Sequence, residues 1–198
     1  MVGSRAVDIR GRKRLFDEFF KVDELVVSHM QNNGTMSVPQ RRLVFEHGDS
    51  AAILLYNADT KSVIAVNQFR AATLGKGMDD GWITEACAGM IDRGESAQTT
   101  VIRETLEETG YKIREVKPIA KFFASPGGTS ECIHLFYAEV ANADKVAAGG
   151  GIGDEDVEIR AIPVDQLFDM VDAQRIEDPK LLIGALWLRR ELQMGGIL

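Results

Sequence analysis

The sequence predicts a mixed α+β sandwich. Three observations point to this class: several short apolar runs of strand length, an amphipathic helical segment in the middle of the chain, and two helical segments near its end. Hydrophobic residues make up 45% of the 198 residues, which is enough for a substantial core. A chain of this length fits one domain, or one domain with a small N-terminal addition.

The N-terminal part has the pattern of a small β-sheet. Apolar and charged residues are interleaved across residues 13–30, which predicts one long strand or two strands that meet at a turn. Residues 31–34 are a turn signal, and residues 37–47 return as a strand. Because a two-stranded unit is marginally stable alone, we expect it to pack on the main body or on a second subunit. We therefore divide the chain into an N-terminal β extension at 1–46, expected to support dimerisation, and a main domain at 47–198.

The main domain alternates strands, one central helix, more strands and terminal helices. Apolar runs predict strands at residues 51–56, 62–70, 84–90, 116–124, 132–140 and 156–162. Helical patterns predict helices at 96–110, 164–172 and 179–193. Glycine-bearing polar segments at 71–81 and 143–153 predict loops.

Charge and composition exclude several classes of function. A net charge of −7 argues against bulk nucleic-acid binding, which requires a basic surface. The two cysteines, Cys87 and Cys132, have no metal-binding spacing and are expected to be buried free thiols. No apolar run approaches the 18 or so residues that would suggest a membrane span, and the N-terminus lacks the apolar core of a signal peptide. A cytoplasmic protein without a membrane partner is the expectation.

The central helix carries an unusual group of carboxylates. Ser96 is suited to cap its N-terminus, and Gly110 is suited to end it. At about 100° per residue, Glu104, Glu107 and Glu108 fall on one face. Like charges four residues apart cost a helix roughly 0.2–0.5 kcal/mol, unless a hard cation such as Mg²⁺ lies between them. Three glutamates alone would more often be a solvated face.

Further positions on the same helix are predicted from their spacing. Arg103 is four residues from Glu107, so these two are expected to pair. Ile102, Thr105, Leu106 and Thr109 cluster toward the other side of the helix.

The spacing of the whole segment is more specific than its charge. Counted from Gly89, five residues precede Glu95, seven more precede Arg103–Glu104, two precede Glu107–Glu108, and one precedes Gly110. This frame resembles the signature of the Nudix hydrolases, which cleave nucleoside diphosphates linked to another moiety. The resemblance implies a Nudix α/β/α sandwich with an N-terminal β-sheet extension. Thr105 and Tyr111 differ from the usual hydrophobic pattern, but neither position performs the chemistry.

The resemblance also implies a role for each charged residue of the helix. Glu104 and Glu108 would bind the metal together with the main-chain carbonyl of Ala88. Glu107 would support the metal ligands or bind a second ion, and Arg103 would orient the carboxylates. The implied cofactor is Mg²⁺, with Mn²⁺ as a substitute.

A further carboxylate is needed to bind metal or to activate water, and the motif does not supply it. Glu155 is the best candidate, since it follows a glycine-rich loop that we expect to be free to close over substrate. In similar enzymes a glutamate from this later loop does one of these two tasks. The simple alternative is an acidic turn before a strand.

Residues outside the motif are expected to choose the substrate. The resemblance to the Nudix branch that acts on nucleoside diphosphate sugars implies that Arg70, Glu131 and Lys180 contact substrate, and that Arg41 and Arg42 approach it from the N-terminal sheet of a dimer. Hydrolysis of GDP-mannose to GMP and mannose 1-phosphate is the favoured function, with ADP-ribose as the alternative substrate. A nucleotide-binding regulator without activity is a distant third, because every motif carboxylate is present.

Overall fold

The computed structural model describes residues 5–77 and 80–196. The chain divides into two compact units. The first comprises the described residues up to Asp49 together with Phe122–Cys132, and the second comprises Ser50–Lys121 and the described residues from Ile133 onward. Two residues of the predicted 71–81 loop, Met78 and Asp79, lie outside the described residues.

The first unit is built on a three-stranded antiparallel sheet. Its strands are β1 (Val7–Asp17), β2 (Lys21–His29) and β3 (Gln40–Glu46), with β2 in the middle. Of the two options left open for residues 13–30, two strands with a turn is correct, and the first strand begins earlier than predicted. The charged residues of β1 do not have the pattern of a strand, because their partners lie on the neighbouring strand. Arg12 and Arg14 of β1 both hydrogen-bond the buried Asp23 of β2.

This ion cluster fixes the charge state of its carboxylate. Hydrogen bonds from Arg14 and Arg12 lower the pKa of Asp23 to about 2, against the opposing effect of burial. The charges of β1 are therefore part of the sheet's structure.

The second unit contains a larger mixed sheet. Its strands are β4 (Ser50–Asn57), β5 (Ser62–Phe69), β6 (Trp82–Glu85), β7 (Cys87–Met90), β8 (Lys117–Phe123), β9 (Cys132–Val140) and β10 (Glu158–Pro163). The strand order is β10-β5-β4-β9-β8, while β6 pairs with β5 and β7 pairs with β4. The central strand, β4, is antiparallel to β5 and parallel to β9.

One strand prediction was wrong. Residues 84–90 form not a single strand but two, which break at Ala86 and pair with different neighbours. The break has a physical cause, because the Ala86 N–H donates to the side chain of the buried Asp178 at 2.9 Å instead of to a neighbouring strand. A contact 92 residues away in sequence leaves no local signal.

Helices cover both faces of the larger sheet. They are α1 (Ala97–Glu104), which continues as a π-helical turn at Thr105–Thr109, α2 (Val164–Asp172) and α3 (Pro179–Gln193). Successive residues of β4 point to opposite faces, as they must in a strand: Ile53 packs in a core cluster with Val101 of α1, and Leu54 packs in another with residues of α2 and α3. The predicted α+β class and α/β/α layering are confirmed. Among the described helices, none has the length and apolar composition needed to cross a membrane.

Candidate active site

The central helix that carries the Nudix-like motif, α1 with its π-helical turn (97–109, here called the motif helix), begins and ends where its sequence predicts. The Ser96 side chain accepts a hydrogen bond from the Thr99 N–H at 3.1 Å, and Gly110 adopts a left-handed conformation with φ of 76°. The last turn widens into a π-helix, which rotates its side chains relative to an ideal α-helix. Leu106 in this turn is 38% exposed. Thr105 is fully buried, and its hydroxyl donates to the Val101 carbonyl at 2.6 Å.

Arg103 hydrogen-bonds three carboxylates, and a fourth, that of Asp92, lies 3.8 Å from its guanidinium. Its guanidinium is 2.8 Å from Glu104, 2.9 Å from Glu107 and 3.2 Å from Glu95. The predicted Arg103–Glu107 pair is present, and the other two contacts extend it into a network. Hydrogen bonding to Glu95 and the charge of Glu104 raise the arginine pKa, while hydrogen bonds from Arg103 and Thr100 lower the pKa of Glu95. One cation therefore holds several motif carboxylates in fixed positions.

Glu108 is the most buried carboxylate of the motif. Its side chain accepts hydrogen bonds from Gln68 Nε2 at 3.0 Å and from the Ala88 N–H at 3.3 Å, and it contacts the Cys87 thiol. Only 4% of the residue is exposed, and this loss of water raises its pKa to about 7. The three donors oppose that rise without cancelling it.

Glu104 lies against the backbone of Gly89. A Cβ atom at position 89 would lie 2.0 Å from Glu104 Oε1, so only glycine leaves room for this carboxylate. Partial burial raises the Glu104 pKa, and Arg103 opposes the rise. Two desolvated carboxylates of like charge thus lie next to the backbone of residues 88–89, an arrangement that a divalent cation would stabilise.

The oxygen donors of this site fit a hard cation, although its side chains alone do not complete the ligand shell. Within residues 5–77 and 80–196, no three His, Cys, Asp or Glu side chains already converge as a metal site. A cation at Glu104 and Glu108 would therefore need the Ala88 carbonyl and water molecules to complete its shell. Mg²⁺ typically retains several waters and few carboxylates, so this set suits it.

A second charged group lies beside Glu108 and contains two of the predicted substrate contacts. Arg70 bonds both carboxylate oxygens of Glu85, at distances of 2.7 to 3.2 Å. Burial lowers the pKa of Arg70, but the hydrogen bonds to Glu85 and its charge, with smaller contributions from the charges of Glu108 and Asp178, together raise it by more. Lys180 Nζ donates to Asp178 Oδ1 at 2.7 Å. In a protein of net charge −7, Arg70 is therefore a cation close to Glu108, and Lys180 is a second cation, held by Asp178.

Glu155 belongs to the same unit and lies in a tight turn. Its carboxylate accepts a hydrogen bond from the Ile152 N–H at 2.9 Å, and its negative charge is one of the smaller causes of the raised Glu104 pKa, after burial. The structure thus puts Glu155 within electrostatic range of a motif carboxylate. Whether it binds metal or activates water stays a prediction.

A family model described as NUDIX domain matches residues 46–182. The chain belongs to the Nudix family. Curated relatives include "GDP-mannose pyrophosphatase" of Enterobacter sp. (strain 638), which is 35% identical over 98% of this chain and 99% of the relative. Another, with the same name, from Salmonella arizonae (strain ATCC BAA-731 / CDC346-86 / RSK2980), is 36% identical over 92% of this chain and 95% of the relative. A solved structure described as "Crystal structure of ADP compounds hydrolase" covers 96% of this chain and 97% of its own, with a TM-score of 0.70.

The comparisons confirm that the chain is a Nudix hydrolase. The solved structure is only 16% identical, so its likeness supports the fold alone. The relatives match the chain at nearly full length, which includes the N-terminal sheet as well as the Nudix domain.

Three predicted substrate-binding residues of this Nudix hydrolase belong to the first unit. Arg41 pairs with Glu24, and Arg42 donates to Gln40 and to the Arg41 carbonyl. Glu131 Oε1 lies 3.8 Å from His47 Nδ1. Both arginines are exposed on their strand. Their contribution to substrate binding stays a prediction.

The sequence reasoning missed the buried polar residues that hold the site together: Gln68, Glu85 and Asp178. Each is less than 10% exposed and each bonds a residue of the site. Asp178 carried a usable signal, because an aspartate directly before a proline is a typical helix start. Gln68 and Glu85 lie in strands, where a buried polar side chain has no distinctive spacing.

Replacing Asp178 with alanine should destabilise the protein by about 2–4 kcal/mol. Asp178 caps α3 through the N–H groups of Lys180 and Leu181, and it also accepts from Ala86, so alanine would remove the cap and leave buried donors unpaired. Urea unfolding of Asp165→Ala, which removes an exposed carboxylate from the first turn of α2, is the matched control. Equal midpoints for the two variants would contradict the expectation.

Proposed function

We propose that this Nudix hydrolase cleaves the pyrophosphate bond of GDP-mannose and releases GMP and mannose 1-phosphate. One observation carries the proposal: relatives named GDP-mannose pyrophosphatase match the chain over nearly its whole length at 35–36% identity. The charged groups of the site support it, because Arg70 and Lys180 suit a diphosphate.

The proposed cofactor is Mg²⁺, with Mn²⁺ as a substitute. Glu104, Glu108 and the Ala88 carbonyl would hold it. When bound, such an ion stabilises negative charge on the phosphoryl oxygens and helps to activate water. Arg103 keeps Glu104 oriented through its 2.8 Å contact, and Glu107 remains close enough to support the ligands or to bind a second ion.

The remaining residues act on the substrate and on the attacking water. Arg70 binds one phosphate as a planar donor, while its bidentate contact with Glu85 fixes the guanidinium in place. Lys180 supplies a point charge, held by Asp178. Glu155 accepts the proton of the attacking water or completes the metal shell. Arg41, Arg42 and Glu131 are further substrate contacts that the family resemblance implies.

A substrate panel tests the proposal. With Mg²⁺ present, kcat/KM for GDP-mannose should exceed that for ADP-ribose by at least about tenfold, which corresponds to about 1.4 kcal/mol of transition-state discrimination. Glu104→Gln in the same panel shows whether turnover belongs to this site. A preference for ADP-ribose would replace the proposed substrate with the alternative. If no nucleotide sugar is hydrolysed, the remaining hypothesis is a nucleotide-binding regulator without activity.

We propose a homodimer that forms through the first unit. The rings of Phe19, Phe20 and Phe45 in this unit pack next to one another, with centroids 4.8 and 5.0 Å apart, and each of the three residues is 38–73% exposed. Contiguous exposed apolar surface commonly marks an interface. Light scattering should give twice the chain mass of 21.8 kDa, and a mass of 21.8 kDa would contradict the dimer. A cytoplasmic location and the absence of a nucleic-acid partner stay predictions.

A further inference from the structure

The glycine-rich loop after residue 148 is bonded to the end of the motif helix. The Gly150 N–H donates to the Glu108 carbonyl at 2.8 Å, and the Gly151 N–H donates to the Glu107 carbonyl at 3.1 Å. Two more amides of the preceding segment, those of Val146 and Ala147, donate to the Gly110 carbonyl. The loop is therefore attached to the very residues whose side chains form the acidic cluster.

The helix needs these partners. The last carbonyl groups of a helix receive no hydrogen bond from an N–H group of the same helix, so they need donors from elsewhere. Here the π-helical turn ends at Thr109, and loop amides fill the positions that capping residues would otherwise occupy. The contact thus stabilises the loop and the end of the helix together.

Gly149 makes this approach sterically possible. Its φ is +75°, and a Cβ atom would lie 2.6 Å from the Glu108 carbonyl oxygen and 2.8 Å from the Gly110 nitrogen. Both of these atoms are backbone, so neither can move aside as the end of a side chain could. Any residue other than glycine would push the loop off the helix.

The other end of the loop carries Glu155. From Gly151 the chain makes a turn in which the Glu155 N–H donates to the Ile152 carbonyl, and the Glu155 carboxylate accepts from the Ile152 N–H. A Cβ atom on Gly151 would lie 2.7 Å from Glu155 Cβ, so this turn is also tightly packed. Only three residues lie between Gly151, whose amide is bonded to the helix, and Glu155.

We propose that Gly149–Gly151 is a dock that holds Glu155 at a fixed position relative to Glu104 and Glu108, with Gly149 as a positioning residue. The sequence predicts that this loop is free to close over substrate. In our proposal, backbone hydrogen bonds instead attach the loop rigidly to the motif helix. The inference rests on the proposed function, in which Glu155 activates water or binds metal.

The test is a double-mutant cycle with a matched glycine control. Gly149→Ala should lower kcat about 10- to 100-fold with little change in KM, because a misplacement of about 1 Å has effects of this size. Gly153→Ala should stay within about threefold of the unaltered enzyme, since Gly153 has a similar φ of +64° but no atom within 4 Å of its Cβ position. In a Glu155→Gln background, Gly149→Ala should cost less than about threefold, because the residue that it positions is already disabled.

Two outcomes of the cycle would overturn the dock. One is an equal loss from Gly149→Ala with and without Glu155, which indicates a structural effect only. The other is a Gly149→Ala enzyme that behaves like Gly153→Ala.

Hydrogen exchange of the unaltered protein gives a second test that needs no variant to fold. The Gly150 and Gly151 amides should be protected as strongly as those of α1, and exchange at the rate of an open loop would overturn the dock. This measurement remains valid if the substrate panel finds no nucleotide-sugar hydrolysis. Failure of the proposed function and failure of the dock are therefore distinguishable.

Discussion

Replacing Glu108 with glutamine should abolish hydrolysis and yet make the metal-free protein more stable at pH 8. Removal of a carboxylate that binds the metal should lower kcat by at least about 10³-fold, since the lost charge stabilisation amounts to several kcal/mol. Stability should change in the opposite direction, because Glu108 is 4% exposed and burial of its charge has a cost.

The sign of the stability change follows from the pKa. Burial raises the pKa of Glu108 from 4.5 to about 7, so between those values the folded protein binds more protons than the unfolded chain. The free energy of unfolding therefore falls as the pH rises from about 4.5 to about 7 and stays low above that. The difference between pKa values of 4.5 and about 7 corresponds to a cost of about 3 kcal/mol, and the neutral glutamine should recover about 1–3 kcal/mol of this cost at pH 8.

Urea unfolding without metal at pH 8 and at pH 5 measures this effect. Glu108→Gln should be more stable than the unaltered protein at pH 8, and most of the difference should be lost at pH 5. Added Mg²⁺ should stabilise the unaltered protein but not the variant, because binding to the folded state alone raises stability. Glu115→Gln, at an exposed position, controls for a change in net charge. A variant that is less stable than the unaltered protein at pH 8 would show that burial of the Glu108 charge has no net cost.

Local patterns were sufficient for most of the fold and for the acidic centre of the site. The Ser96 cap, the Gly110 stop and the bounds of α2 and α3 depend on interactions within a few residues, so they are readable along the chain. The spacing from Gly89 to Gly110 identified the family for the same reason. A motif that forms one strand, one loop and one helix keeps its chemistry at fixed intervals.

What could not be predicted depends on contacts that are distant in sequence. The break at Ala86 depends on Asp178, and the burial of Glu108 depends on Gln68, which lies 40 residues away in β5. The glycine-rich loop shows the same limit most clearly. Its composition predicts freedom of movement, but at Gly149 the backbone of the motif helix leaves no room for a side chain. Composition alone does not distinguish a mobile glycine from one in close contact.

Substituting alanine for Gly89 should reduce kcat by about 10²- to 10³-fold and leave the fold intact. The added Cβ would lie 2.0 Å from Glu104 Oε1 and 2.1 Å from Glu104 Cδ, so the carboxylate must turn away from its position. The backbone itself accepts alanine, because Gly89 is not among the glycines with positive φ. The damage is therefore confined to the side chain of a proposed metal ligand, and metal affinity should fall together with kcat.

Steady-state kinetics over a range of Mg²⁺ concentrations separates this effect from a loss of stability. Gly89→Ala should need at least about tenfold more Mg²⁺ for half-maximal activity, while its urea midpoint stays close to that of the unaltered protein. Gly11→Ala is the matched control, because a Cβ at that position meets nothing within 4 Å and should change neither quantity. An unchanged Mg²⁺ requirement in Gly89→Ala would mean that Glu104 binds no metal in the position observed. The close approach at Gly89 would then serve packing of the helix on β7 and not the chemistry of the site.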